Sequence, residues 1–295
     1  MSDTITIYRP NQRHELGLIH TWTVMARNVW RARELIWQLF KRDFFAQYKK
    51  SFLGATWIII SPIVGILSWV FLQMTGVLVP GDVGIPYPAY VLIGSSMWGL
   101  FVGLYYAASS TMQAGKELIM QVNYPHEAML FKQVGQQMAN FSITLGLNLI
   151  VLTLLRIFQP QGFEIAFPNW GILLFPLVVL PLFFLASAMG LIVAMIQIVA
   201  VDISRFISMG LGFMMYLTPI IYSADTITHP VARAINTWNP LTYLVGSARD
   251  ILIYGHLYQH NYLAYFIVSG ISFLLFMLSW RLFYVSEGQI VERMI

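Results

Sequence analysis

From Ser51 to Gly81 the chain carries no Asp, Glu, Lys or Arg and is predominantly apolar. A bilayer core is crossed by about 20 apolar residues rising 1.5 Å each, so this run is long enough to span it. Immediately upstream, Ile36, Phe40, Phe44 and Tyr48 recur every four residues, with Arg31, Arg33, Lys41, Arg42, Lys49 and Lys50 around them. That spacing predicts a helix with one apolar stripe and a basic remainder, the pattern of a segment lying in the membrane interface. A basic interfacial helix that feeds a span keeps the N-terminus on the cytoplasmic side.

The remainder of the chain repeats the pattern. Charged residues are 10% of the sequence and hydrophobic residues 58%, whereas soluble domains are about a quarter charged. The sparse charges divide the sequence into six spans, at about 54–78, 87–111, 132–156, 171–199, 205–223 and 262–285. The organisation expected is a cytoplasmic extension over 1–30, an amphipathic interfacial helix over 31–50, a six-span domain over 51–285, and a cytoplasmic tail over 286–295. The fold class is an all-α integral membrane protein. Nine cations precede Ser51, and the segments placed inside add Lys116, Lys132, Arg205, Arg281 and Arg293, leaving only Arg156, Arg233 and Arg249 outside. Fourteen cations against three fit six spans with both termini cytoplasmic, and one span more or fewer would scramble that asymmetry. With the basic residues concentrated at the membrane, the positive net charge points to anionic headgroups rather than to nucleic acid. An early apolar h-region is missing, so a cleaved signal is not expected. Without cysteine, thiol and disulfide chemistry is excluded.

Enzyme motifs are lacking. The sequence has no Ser-centred nucleophile elbow, no His-Glu-x-x-His and no carboxylate pair within a span. Gly115-Lys116 is followed by Glu117, which cannot supply the hydroxyl of a nucleotide-binding loop. No cofactor is therefore expected on this chain. His256 and His260 have the i, i+4 spacing of a helical metal pair, but they stand among Tyr254, Tyr258 and Tyr262 near an outer surface, and no metal site is expected. The spans also lack titratable groups, which weighs against a proton- or sodium-coupled carrier.

Three features suggest function. Gln136, Asn140, Thr144 and Asn148 form a polar stripe in the third span, either as interhelical hydrogen-bonding groups or as one wall of a hydrated pathway. Aromatic residues cluster in and near three spans, including Trp98, Phe101, Tyr105 and Tyr106. In the uncharged first and fifth spans they are Trp69, Phe71, Phe213, Tyr216 and Tyr222, either packing groups or a track on which sugar rings slide. The connector after the second span places Leu118, Ile119 and Val122 on a short helix that Pro125 stops. That apolar face suits either a cytoplasmic protein partner or the membrane surface.

The sequence resembles the permease subunits of type-2 ABC exporters, in the branch that exports polysaccharides such as O-antigen, teichoic acid and capsule. The resemblance runs from about Arg31 to the C-terminus. It is carried by Arg42-Asp43 through Tyr48-Lys49 with Leu53-Gly54, Trp57 and Pro62, and by Val122 through Glu127 with Pro125. Thr218-Pro219-Ile220-Ile221-Tyr222 and Trp238-Asn239-Pro240-Leu241 with Arg249-Asp250 complete it. It implies short re-entrant helices in the outer loop between spans five and six. It also implies a homodimer bound to two copies of a separate ATPase, which holds the ATP and magnesium. Coupling to that ATPase then falls to Lys116, Glu117, Leu118, Ile119, Val122, Tyr124, Pro125, His126 and Glu127. The substrate implied is a lipid-linked glycan, O-antigen-like first, passing through a channel at the dimer centre in a bacterial cytoplasmic membrane. Residues 1–30 exceed what the motif needs. The rival readings are a type-2 exporter of drugs or lipids, and, in another class, a membrane glycosyltransferase or acyltransferase.

Overall fold

In a computed structural model that describes residues 18–49, 52–114, 127–158, 161 and 168–294, helix follows helix, and no strand occurs among the described residues. The α-helices are α1 (Leu18–Arg31), α2 (Arg33–Lys49), α3 (Trp57–Met74), α4 (Tyr87–Ser109), α5 (Glu127–Phe158), α6 (Gly171–Ile196), α7 (Val201–Leu217), α8 (Pro230–Trp238), α9 (Pro240–Ile253) and α10 (Tyr262–Met294). The chain is an all-α membrane protein. Four of these helices, α4, α5, α6 and α10, are long and apolar enough to cross a bilayer; α3 is shorter, with its apolar part at Ile59–Met74, and α7 has 17 residues. All six lie where the charge pattern places spans.

Helix α6 is the centre of the bundle and packs against α10, α4 and α9. It carries no charge, holds Pro176 and Pro181 within its length, and buries Leu182, Ala186 and Leu191 completely. Its contact with α4 is close because Gly190 faces Ala108; a Cβ at Gly190 would fall 2.5 Å from the Tyr105 carbonyl oxygen. Lipid gives helices no hydrophobic reason to associate, so small residues that admit backbone contact are what hold such a pair. The buried aromatics Trp98, Phe101 and Tyr105 of α4 fill this core, which assigns them to packing.

Within the predicted extension, residues 18–31 form a helix that joins the bundle. Helix α1 buries Thr21 and Met25, and Trp22 Nε1 donates to the Met277 carbonyl of α10 at 3.4 Å. Helix α2 follows almost without interruption and lies on α5. The face turned to α5 holds the buried Leu39 and the half-buried Leu35 and Ile36, with Ala32 just ahead of the helix, so the fourfold stripe begins on this face at Ile36. Phe40 and Phe44 are half-buried at its border, in a stack with Trp37 at centroid spacings of 5.4 and 5.5 Å. Fourfold spacing drifts about 40° per step on a helix, so a stripe read that way crosses the contact face instead of following it.

One ion pair fastens α2 to α5. Lys132 Nζ lies 2.5 Å from Asp43 Oδ2, and Arg42 Nε lies 2.7 Å from Asp43 Oδ1. Burial raises the Asp43 pKa, but the hydrogen bonds and charges of Arg42 and Lys132 outweigh it and hold the carboxyl below its ordinary value. A depressed folded pKa gives stability that is fully present above the unfolded value, near about 4, and lost as pH falls through the folded one. Asp43→Asn, which leaves the buried Lys132 without its carboxylate, is expected to cost about 1–3 kcal/mol at neutral pH. Thermal unfolding of both proteins across pH checks this: the difference should vanish well below about pH 4, whereas a difference persisting there assigns the effect to packing.

Candidate functional site

Between α3, α4 and α5 lies a cavity of about 610 Å³. From α3 it receives Trp57, Ser61, Gly65 and Trp69; from α4, Ser95, Ser96 and Gly99; from α5, Gln137, Asn140 and Thr144; and Met215 reaches it from α7. None of its lining residues is charged. Ser96 Oγ donates to the Leu92 carbonyl at 2.7 Å, Thr144 Oγ1 to the Asn140 carbonyl at 3.1 Å, and Ser95 Oγ to the Val91 carbonyl. With their protons turned back onto the helices, these hydroxyls present acceptor lone pairs to the cavity, while Gln137 and Asn140 bring amide groups that both donate and accept. Pro62, which also lines the cavity, removes a rung from the α3 backbone ladder.

The predicted polar stripe therefore only partly lines this cavity. Asn140 and Thr144 line the cavity, and Gln137, not Gln136, is their neighbour there. The sequence reading missed Gln137 because helical neighbours alternate between i+3 and i+4. Asn148 is buried, and its amide finds no hydrogen-bond partner among the described residues, so it makes no interhelical bond within one chain.

Of the five channel aromatics, the structure joins three. Trp69 meets Tyr216 edge to face at 6.1 Å between centroids, and the Tyr222 hydroxyl donates to the Tyr216 carbonyl at 2.9 Å. Phe71 and Phe213 are 63% and 64% exposed on the same two helices, and Leu67 and Met209, one turn before them, are exposed too. A single chain leaves this apolar surface uncovered. Of the residues expected to couple to an ATPase, Lys116, Glu117, Leu118, Ile119, Val122, Tyr124, Pro125 and His126 lie outside the described residues; Glu127 opens α5 and is buried. Tyr48 belongs to α2, and Arg42 is engaged by Asp43.

After α7 the chain is unwound from Thr218 to Ser223, and its backbone polar groups are met by side chains. Arg249 donates to the Pro219 carbonyl at 2.8 Å, Tyr87 to that of Ile221 at 3.1 Å, and Tyr90 to that of Tyr222 at 3.3 Å. Asn239 Nδ2 donates to Thr218 Oγ1 at 2.9 Å while its Oδ1 caps α9 through the Leu241 amide. Gly94 admits the close approach, since a Cβ there would sit 2.6 Å from the Ile220 carbonyl oxygen. Arg249 is 4% exposed, pairs with Asp250 at 2.7 Å, reaches the Tyr90 hydroxyl and lies over the Tyr90 ring at 4.3 Å. The charge count assigns Arg249 to an outer segment; within that segment it is the buried centre of this junction. Irregular backbone at membrane depth is tolerated where protein satisfies it, and this network does so.

The two histidines do not form a helical metal pair. His256 lies in a loop and His260 in the turn Tyr258–His260, where Gln259 and His260 take positive φ. Their rings stack at 3.9 Å beside Tyr254, ring face to ring face, and no group of three potential metal ligands occurs among the described residues.

Residues 34–253 match the family described as ABC-2 type transporter. Among curated relatives, the chain is similar to an O-antigen export system permease protein of Myxococcus xanthus, 27% identical over 80% of this chain and 85% of the relative. Two O-antigen export system permease proteins of Klebsiella pneumoniae are each 23% identical, over 81% and 80% of this chain and 87% and 86% of the relatives. With the match running from the interfacial helix to the end of α9, through the uncharged cavity and the braced unwound segment, the chain belongs to the ABC-2 type transporter family.

Proposed function

We propose that this chain is the permease subunit of an ABC transporter that exports a lipid-linked, O-antigen-like polysaccharide. The observation that carries this reading is the charge-free cavity with hydroxyl, amide and tryptophan walls. A glycan offers hydroxyl groups and apolar C–H faces, and such a wall meets both without a charged contact that would pin a moving polymer; conduction likewise needs sites weak enough to leave. The relatives are O-antigen export permeases, which supports the same substrate class. Two copies, meeting across the uncovered face of α3 and α7, would enclose the path. Two copies of a separate ATPase, holding ATP and magnesium, would drive it through residues 116–127. The reading places the protein in the bacterial cytoplasmic membrane with both termini inside, an orientation that the cation asymmetry supports.

Gly99 provides the test. It lines the cavity, and a Cβ there meets nothing within 4 Å, so a larger side chain enters empty space. In cells lacking the chromosomal gene, the wild-type chain should restore surface glycan, while Gly99→Phe, made at the same level, should restore little. Full restoration by Gly99→Phe would remove the cavity from the pathway, and no glycan defect on deletion of the gene would favour a drug or lipid cargo.

A further inference from the structure

A second pocket, of about 430 Å³, lies apart from the polar cavity, between α2 and α5. Its walls include Ile36, Trp37, Phe40 and Phe131, and its only charged lining residues are Arg33 and Lys132. Gly135 lines it as well, and a Cβ there would meet only the Phe40 ring, at 4.0 Å, so a larger side chain would extend into the pocket. The two cations differ in state. Lys132 is buried against Asp43, whereas Arg33 is exposed, stands over the Trp30 ring at 5.0 Å, and donates to the Trp30 carbonyl at 3.2 Å. Among the described residues no carboxylate pairs with Arg33.

Trp30 and Trp37, which also line the pocket, are 70% and 52% exposed. Tryptophan rings sit at the headgroup level of a bilayer, which fixes the depth of the pocket at the membrane–water boundary. An apolar slot there, with one cation that no carboxylate among the described residues pairs, is complementary to a single acyl chain ending in an anionic headgroup. A zwitterionic headgroup leaves Arg33 without a net partner, and a soluble anion leaves the slot empty. We propose that this pocket binds one acyl chain of an anionic glycerophospholipid from the surrounding leaflet, with the lipid phosphate at Arg33. The lipid would wedge α2 against α5 beside the Asp43–Lys132 pair, so that the interfacial helix is held by protein on one side and lipid on the other. The inference requires only that the chain sits in a membrane.

The purified full-length chain in neutral detergent tests it, by thermal unfolding and by native mass spectrometry with phosphatidylglycerol or phosphatidylcholine added. Phosphatidylglycerol should raise the unfolding midpoint and remain bound, with about a fivefold preference over phosphatidylcholine, the value of one cation near an anionic headgroup. Arg33→Gln, at an exposed position, should abolish the preference. Gly135→Leu should fill the slot and abolish the lipid-dependent rise while unfolding no earlier than the wild-type chain without lipid. Equal responses of the wild-type chain to the two lipids, an undiminished rise in Gly135→Leu, or a preference for a polyprenyl phosphate over phosphatidylglycerol would overturn the proposal.

Discussion

Replacing Arg249 with methionine is expected to lower stability by about 3–5 kcal/mol, the cost of leaving one member of a buried ion pair uncompensated. The guanidinium meets Asp250 Oδ1, the Pro219 carbonyl and the Tyr90 hydroxyl at one buried point. Its loss strands a carboxylate in α9 and releases the carbonyl of an unwound segment that follows α7. Arg249→Lys should be intermediate to severe, because an ammonium group cannot reproduce the planar fork of donors. The Arg249→Met/Asp250→Leu double variant should recover much of the stability, since replacing both members of a buried pair by apolar groups is often nearly neutral. Export should not recover with it, because the Pro219 carbonyl remains without its donor and α7 loses its brace. Thermal unfolding in detergent and surface glycan, measured side by side, separate the two effects. An unchanged midpoint for Arg249→Met would mean that the junction is held by Tyr87, Tyr90 and Asn239 without the guanidinium.

The aromatic pair on α3 and α7 should behave in the opposite way. Trp69→Leu combined with Tyr216→Leu is expected to lower surface glycan by about tenfold or more, roughly 1.4 kcal/mol or more in barrier. The stability cost should be small, since an edge-to-face pair contributes only about 0.5–1.5 kcal/mol beyond the area it buries. Leucine keeps apolar volume and removes the flat ring face, so protein level and thermal midpoint act as controls for packing. Trp69 lines the polar cavity and touches Tyr216, which sets the pair at the α7 side of the cavity, where Met215 also reaches it. Normal export by the double variant would reduce both rings to packing groups and leave the polar walls to carry the pathway.

The local pattern of the sequence determined the helices. Charge-free runs of span length, cation asymmetry and proline or glycine turns are properties of neighbours in the chain, and each of the six long apolar runs contains a helix. Tertiary structure decided which residues meet. Asp43 and Lys132 are 89 positions apart and Arg249 and Tyr90 are 159 apart, and nothing in hydrophobic periodicity pairs residues at such separations. The same holds for the cavity, whose walls come from four helices, and for α2, where the fourfold stripe gave the helix and Ile36 on its contact face but not the buried Leu39. Periodicity reports which side of one helix avoids water; in a membrane every side does so, and the choice of partner falls to small residues and buried polar groups whose positions only the assembled bundle fixes.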